Sequence, residues 1–333
     1  MDGNSSAKTK VFVTGASGKT GALVVQQLLQ LPDKFEVAVA VRSDKAHKYM
    51  VDLGVTPDNI FHLDLSGSDE SRAALQAALQ GCQALVICTA AVPEVALLST
   101  LLGGLWFWAG STLAGLLGRQ QQPPEGAAGG SRAADPFVPV SKWKAGQTPE
   151  KVDYQGQVAQ IEAAKASSSV QHVVLISSAG GCDPHHFLNR IGKDAGGGDI
   201  LNWKRKAEQH LIASGLPYTI LHPNHLVDPP AGRHVVALAV DDALQQPHWR
   251  QRLKMPRADL AALAVQCLLL KDAGGANRSI DCAARPAAAG EAPTTTTEQF
   301  KQLLQQMPDS CSYSINDRTK PDAEWACMPA GQN

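Results

Sequence analysis

Apolar positions along the first 90 residues come in short blocks whose spacing switches between strand-like and helix-like. Val11 to Val13 form an unbroken apolar run, the pattern of a strand buried on both faces. From Lys19 onward Leu23, Val24, Leu28 and Leu31 recur at helical spacing. Further strands are predicted over 35–41, 60–63 and 84–88, with a helix over 69–80 between the last two. After a long interruption the alternation resumes: helix 149–166, strand 171–176, helix 201–213 and strand 217–221. A short strand at 235–240, a helix opened by Pro256 and a last strand at 279–283 follow. A helix over 298–304 precedes a polar tail that has no period from Pro308 on. Strands alternating with helices predict an α/β fold built on a doubly wound parallel sheet. On this reading residues 1–290 form one nucleotide-binding domain, 94–149 an insertion after the fourth strand, and 291–333 a C-terminal helix and tail.

The interruption has its own composition. Residues 95–118 carry no charge in 24 positions and include Trp106, Phe107 and Trp108, which meets the length and polarity criterion for a membrane span. A single crossing would put strands of one sheet on opposite sides of a bilayer, and Gly103-Gly104, Gly110 and Gly115 interrupt the run. A buried helical flap, an interfacial hairpin or an oligomer contact remain, and a flap or interfacial element is preferred over a span. Residues 120–149, rich in Gly, Pro, Ala and Gln, read as a flexible loop.

Chemistry concentrates where the first strand meets the first helix. Gly15, Gly18 and Gly21 are spaced G-x-x-G-x-x-G there, so backbone N–H groups can approach a pyrophosphate resting on the positive end of the helix. A P-loop is excluded, since that motif needs Gly where Val13 stands. The second strand ends in Val41-Arg42-Ser43, about 20 residues past the glycines, where an acidic residue would select NAD. Arg42, together with Lys19, can instead hold the 2′-phosphate of NADP; the alternative is a solvated arginine at a strand end. Asp64 can accept from the adenine amino group or simply form a turn. The small residues of Thr89-Ala90-Ala91-Val92-Pro93 let a nicotinamide ribose lie against the backbone.

Charge and cysteine usage narrow the partners. Thirty basic residues balance 31 acidic ones without a basic block, which argues against nucleic acid and leaves a small-molecule substrate. The seven cysteines are odd in number and contain no C-x-x-C pair, so neither disulfides nor a zinc site is expected, and His222-x-x-His225 lacks a third ligand in sequence. The first strand begins about ten residues in, which leaves no room for a secretory signal or an ordinary transit peptide; a cytoplasmic location is the expectation.

The stretches VFVTGASGKTG, VRS, VDYQGQVAQIEAAK, VVLISSAGG, ILNWKRKAEQHLIASGLPYTIL and MPRADLAALAVQCLL resemble, in order and spacing, one family. It is the atypical short-chain dehydrogenase/reductases, specifically the plant-type NAD(P)H-binding, NmrA-like proteins, and the likeness runs from Val11 to Pro286 apart from the insertion. The resemblance implies a Rossmann fold with NADP(H) at the carboxyl edge of the sheet, a small C-terminal substrate-side lobe, and, given plant-type relatives, a chloroplast association as an alternative to the cytoplasm. Residue by residue it places Gly15, Ser17, Gly18, Lys19, Thr20 and Gly21 in the phosphate loop, and Arg42 and Ser43 at the 2′-phosphate. Asp64 and Leu65 fall at the adenine, with Thr89, Ala90, Ala91 and Pro223 on the ribose and nicotinamide side. Ser178 and Lys204 fall at catalytic positions, but Ile200 stands where active members carry the catalytic Tyr, and His222 where many carry Arg.

Two functions therefore stay open. One is NADPH-dependent hydride transfer to a quinone, carbonyl or enone, with the proton drawn from solvent or from His185, His186, His222 or His225. The other is a redox sensor or scaffold that keeps the cofactor site without turnover and docks a membrane or partner through 95–118.

Overall fold

The computed structural model describes residues 8–65, 67–95, 141–193, 197–245, 253–307 and 310–313. The first half builds β1 (Thr9–Thr14), α1 (Lys19–Leu29), β2 (Phe35–Val41), α2 (Asp44–Leu53), β3 (Ile60–His62), α3 (Asp69–Ala78) and β4 (Ala84–Ile87). A two-residue strand, β5 (Glu94–Val95), pairs antiparallel with β6 (Ser141–Lys142). A π-helical turn (Glu150–Gln155) then runs directly into α4 (Gly156–Ser167). The second half adds β7 (His172–Ile176), α5 (Ile200–Ala213), β8 (Tyr218–Pro223), β9 (Leu226–Val227), β10 (His234–Ala239), β11 (Met255–Pro256), α6 (Arg257–Leu269), β12 (Arg278–Pro286) and α7 (Thr297–Gln306).

Eight strands form the main sheet in the order β10-β12-β8-β7-β4-β1-β2-β3. The apolar runs explain its centre: every residue of β4 and β7 is buried, because helices cover both faces. Met50, Val24, Leu28, Leu260 and Leu263 pack one face, and Phe300 and Leu304 of α7 join that same core. Leu75, Ile161 and Leu211 cover the other. The chain runs outward from β1 through β2 to β3, then crosses to β4 on the other side of β1. That reversal of direction opens a crevice at the carboxyl ends of β1 and β4.

Four features differ from the sequence pattern. The helix α2 was not anticipated; only Met50 of it is buried, so it shows no apolar stripe. Its signals are its ends, Ser43 accepting from the Ala46 N–H and Gly54 in a left-handed turn. The expected parallel sheet holds except at its edge, where β10 runs antiparallel to β12. The link from β8 to β10 contains no crossover helix, so the strand arrives reversed. The helix expected over 149–166 is π-helical over Glu150–Gln155. Residues 310–313 of the polar tail return to the sheet and bury Tyr313.

The pairing of β5 with β6 brings residues 94–95 and 141–142 of the predicted insertion side by side, while β4 and β7 are neighbours in the sheet. The apolar stretch and most of the loop at 120–149 lie outside the described residues, as does the tail beyond residue 313. Among the described residues no helix is long and apolar enough to cross a membrane.

Candidate functional site

The glycine turn is dictated by space. Gly15 has φ +65°, and a Cβ there would stand 2.6 Å from the carbonyl of Cys88. A Cβ on Gly21 would overlap the Gly15 carbonyl oxygen, so strand, turn and helix can meet only if both positions lack side chains. The Gly18 N–H donates to the Gly15 carbonyl at 2.9 Å, and the first intrahelical bond of α1 runs from Ala22 to Gly18. The amides of Lys19, Thr20 and Gly21 therefore precede the helical ladder and face the crevice end, next to Ser17, which is exposed.

At the far end of the crevice, Val41, Arg42, His62, Leu63 and Asp64 line a cleft of about 400 Å³. Arg42 and Asp64 are both exposed and share it. The structure adds His62, whose Nε2 lies 3.0 Å from Nδ1 of His47 with the two rings stacked. Nothing in their spacing announced this pair, because it forms between α2 and β3. Ser43 spends its hydroxyl capping α2, and Leu65 is half-buried against the core. Lys19 does not join Arg42: its ammonium pairs with Asp228 at 3.2 Å, and Arg257 pairs with the same carboxylate. An exposed carboxylate close to the helix start captures the lysine first.

At the end of β4, α4 holds the exit loop by amides. Gln157 donates to the Thr89 carbonyl at 3.0 Å and Gln160 to the Thr89 hydroxyl at 3.3 Å. Ala90 is exposed on this loop. The π-helical turn directs Asp153 inward, where its carboxylate accepts from the Ala91 N–H and from Lys204 Nζ at 2.8 Å. Asp153 is fully buried and Lys204 nearly so. Burial pushes the Asp153 carboxyl above its ordinary range, against the pull of the Lys204 ammonium. Lys204 is thus anchored beside the loop that follows β4, and Ile200, one turn before it on α5, is buried and has no proton to give.

Ser178, two residues past β7, is half-buried, its hydroxyl donating to the Ala179 carbonyl at 3.1 Å. Its own carbonyl accepts from Arg205 at 3.0 Å. Pro223 closes β8, and its carbonyl accepts from the Ala179 N–H, tying the two strand ends together. Behind them lies a buried charge network that sequence spacing did not suggest. Glu208 accepts from Arg205 at 2.6 Å and from the Ser177 hydroxyl, and its second oxygen lies 2.9 Å from His222 Nε2. The other ring nitrogen of His222 is 3.0 Å from Asp281. Burial opposes ionisation of Glu208, but Arg205, His222 and Ser177 together pull it down to about 2. For His222, burial and Arg205 oppose the charged form, yet Glu208 and Asp281 raise it well above the usual histidine value. Two carboxylates that favour a charged ring thus flank His222, sealed beneath the sheet edge. Tyr313 closes the network over Arg205 and His222 and bonds Ser279 at 2.6 Å.

The other histidines divide. His186 is buried against Gly180, while His185 and His225 are exposed. Of the predicted site residues the fold gathers the glycine turn, Arg42, Asp64, Thr89 to Ala91, Ser178, Lys204 and Pro223 along one carboxyl edge of the sheet.

Residues 129–270 match the model of a family described as NAD(P)H-binding. Sanguinarine reductase of Eschscholzia californica is 36% identical over 304 residues, covering 91% of this chain and 98% of that protein. An uncharacterised chloroplastic protein of Arabidopsis thaliana is 33% identical over 297 residues, covering 89% of this chain and 75% of its own length. A wide-type short-chain dehydrogenase/reductase of Veillonella parvula, solved with NADP, shares the fold at a TM-score of 0.51 and 14% identity, over 87% of this chain and all of that one. With a reductase matched almost end to end around a glycine turn at the switch point of the sheet, the chain belongs to the plant-type, NAD(P)H-binding branch of the atypical short-chain dehydrogenase/reductases.

Proposed function

We propose that this protein is an NADPH-dependent reductase that passes hydride to a small quinone or conjugated carbonyl acceptor. The observation that carries the reading is the pairing of an Arg42–Asp64 cleft at one end of the crevice with the anchored Lys204 at the other. Arg42 holds the 2′-phosphate, the amides of the glycine turn hold the pyrophosphate, and the nicotinamide ribose lies along Thr89 to Ala91. Ser178 and Lys204 face the reacting end as hydrogen-bond donors. Lys204 also keeps Asp153 and the Ala91 amide in place, so it positions the exit loop as much as it meets the cofactor.

The missing tyrosine selects the acceptor. A simple ketone needs a proton as hydride arrives, and Ile200 has none to give. Quinones and enones become stabilised anions on accepting hydride and collect the proton afterwards from water. The high identity to a reductase supports turnover over a purely sensory role. A location in cytoplasm or chloroplast fits equally, since one close relative is chloroplastic by name.

Parallel calorimetric titrations with NADPH, NADP⁺, NADH and NAD⁺ test the cofactor, and NADPH oxidation with a panel of quinones, enones and saturated ketones tests the acceptor. The expected pattern is binding of both phosphorylated forms, and turnover with quinones or enones but not with saturated ketones. Binding without turnover on any acceptor would replace the reductase by a non-catalytic sensor, a reading that the buried Ile200 favours.

A further inference from the structure

His222, Asp281 and Cys311 are 30 to 89 residues apart in sequence, yet their donor atoms converge on one point. His222 Nδ1 lies 3.0 Å from Asp281 Oδ1, and Cys311 Sγ lies 3.6 Å from the same nitrogen and 3.7 Å from the same oxygen. A tetrahedral zinc ion with ordinary bond lengths spaces such donors at about 3.4, 3.6 and 3.6 Å. The two sulfur separations already agree, and the nitrogen–oxygen pair must open by only about 0.4 Å when an ion replaces the shared proton. We propose that these three residues form a binding site for a zinc-like divalent cation, which fastens the C-terminal segment to the sheet.

The surroundings have the form such a site needs. The far nitrogen of His222 donates to Glu208 at 2.9 Å, the carboxylate partner that commonly orients a metal-bound histidine. Glu208 is itself held by Arg205 and Ser177. The second oxygen of Asp281 accepts from the Asp242 N–H at 2.6 Å, and Cys311 Sγ from the Asp241 N–H at 3.5 Å, so both other donors are oriented by backbone. Electrostatics agree. Zinc binding displaces two protons, one from His222 Nδ1 and one from the Cys311 thiol, so a divalent ion enters the cluster of Glu208, Asp281 and Arg205 with no change in its net charge. The donor set of imidazole, carboxylate and thiolate selects zinc over magnesium or calcium, which prefer oxygen alone. The fold supplies both walls: β8 and β12 are hydrogen-bonded neighbours with His222 opposite Asp281, and residues 310–313 bring the cysteine across them.

The test uses the full chain, stripped with a chelator and then titrated with Zn²⁺, and in parallel with Co²⁺. One ion per chain and a thiolate-to-cobalt charge-transfer band are expected. Cys311→Ser and Asp281→Asn should each weaken Zn²⁺ binding by about a hundredfold or more, beyond the range seen for outer-sphere changes. Should either variant misfold, the unaltered chain still decides: Zn²⁺ must protect Cys311 from alkylation, read by peptide mass spectrometry. Absence of saturable Zn²⁺ binding, binding untouched by both substitutions, or unchanged alkylation of Cys311 would overturn the site.

Discussion

The two halves of the sheet edge are built on opposite principles. On the β1–β3 side the site is open and made from neighbours in sequence: a glycine turn, the first amides of α1, and an exposed Arg42 and Asp64 at adjacent strand ends. On the β7–β12 side it rests on buried charges from distant segments, with Arg205, Glu208, His222 and Asp281 all nearly inaccessible. An open half can recognise a ligand at little cost to folding. A buried ionic half contributes position instead, because its charges were taken out of water at a cost that only complete pairing offsets. Substitutions should therefore separate the halves, stability responding on one side and cofactor binding on the other.

The largest effect is expected from Glu208→Gln, which leaves Arg205 and His222 facing each other without a carboxylate. Urea unfolding should show a loss of about 3–5 kcal/mol, the range for breaking a buried pair from one side. A loss no larger than that of a surface substitution would mean the network is not a unit.

Next comes pH. Burial pushes His172 down to about 4 from an ordinary 6.5. The unfolded chain then binds the proton more readily than the folded one, so stability holds above pH 6.5 and is lost as pH falls toward about 4. His172→Gln, which can keep a bond to Thr219, should flatten that limb by about 3 kcal/mol. An unchanged acid limb would sink the assignment.

Arg42→Ala moves to the open half. NADPH binding should weaken roughly tenfold to a hundredfold, the value of one or two hydrogen bonds to a charged group. NADH binding and the unfolding midpoint should stay put, and equal losses for both cofactors would remove Arg42 from the 2′-phosphate. Smallest of all is Lys19→Ala. Its partner Asp228 is exposed and already shared with Arg257, so thermal unfolding should not change measurably. A clear loss of NADPH affinity in that variant would show that the lysine leaves Asp228 when cofactor binds.

The same contrast explains what could be read in advance. Strand Phe35–Val41 was predicted to the residue, because an apolar run bounded by polar residues is a local signal. The glycine turn was legible for a similar reason: a strand, three glycines at fixed spacing and a helix define it within a dozen positions. The helix after Ser43 escaped because it buries one residue, and apolar periodicity was the signal sought. The partners of Lys204 escaped because Asp153 lies 51 positions away, on a turn whose π-helical register no apolar pattern encodes. His222 read as a substitution that lost a charge; only the fold shows the two carboxylates, on α5 and β12, that favour a charged ring there. The sequence likewise gave no reason to join Cys311 to His222, since their spacing belongs to no metal-binding motif.

By itself, the order of apolar blocks determined the doubly wound sheet, and the glycines with Arg42 marked the place proposed for a phosphorylated dinucleotide. Both are short-range: steric room and hydrogen-bonding geometry act between residues that chain connectivity already brings together. Tertiary structure alone decided the pairing of His222 with two carboxylates, the anchoring of Lys204, the antiparallel edge strand and the return of Tyr313 to the sheet. Each depends on which charges and backbone groups are removed from water together, and that is set by contacts between segments far apart in the chain.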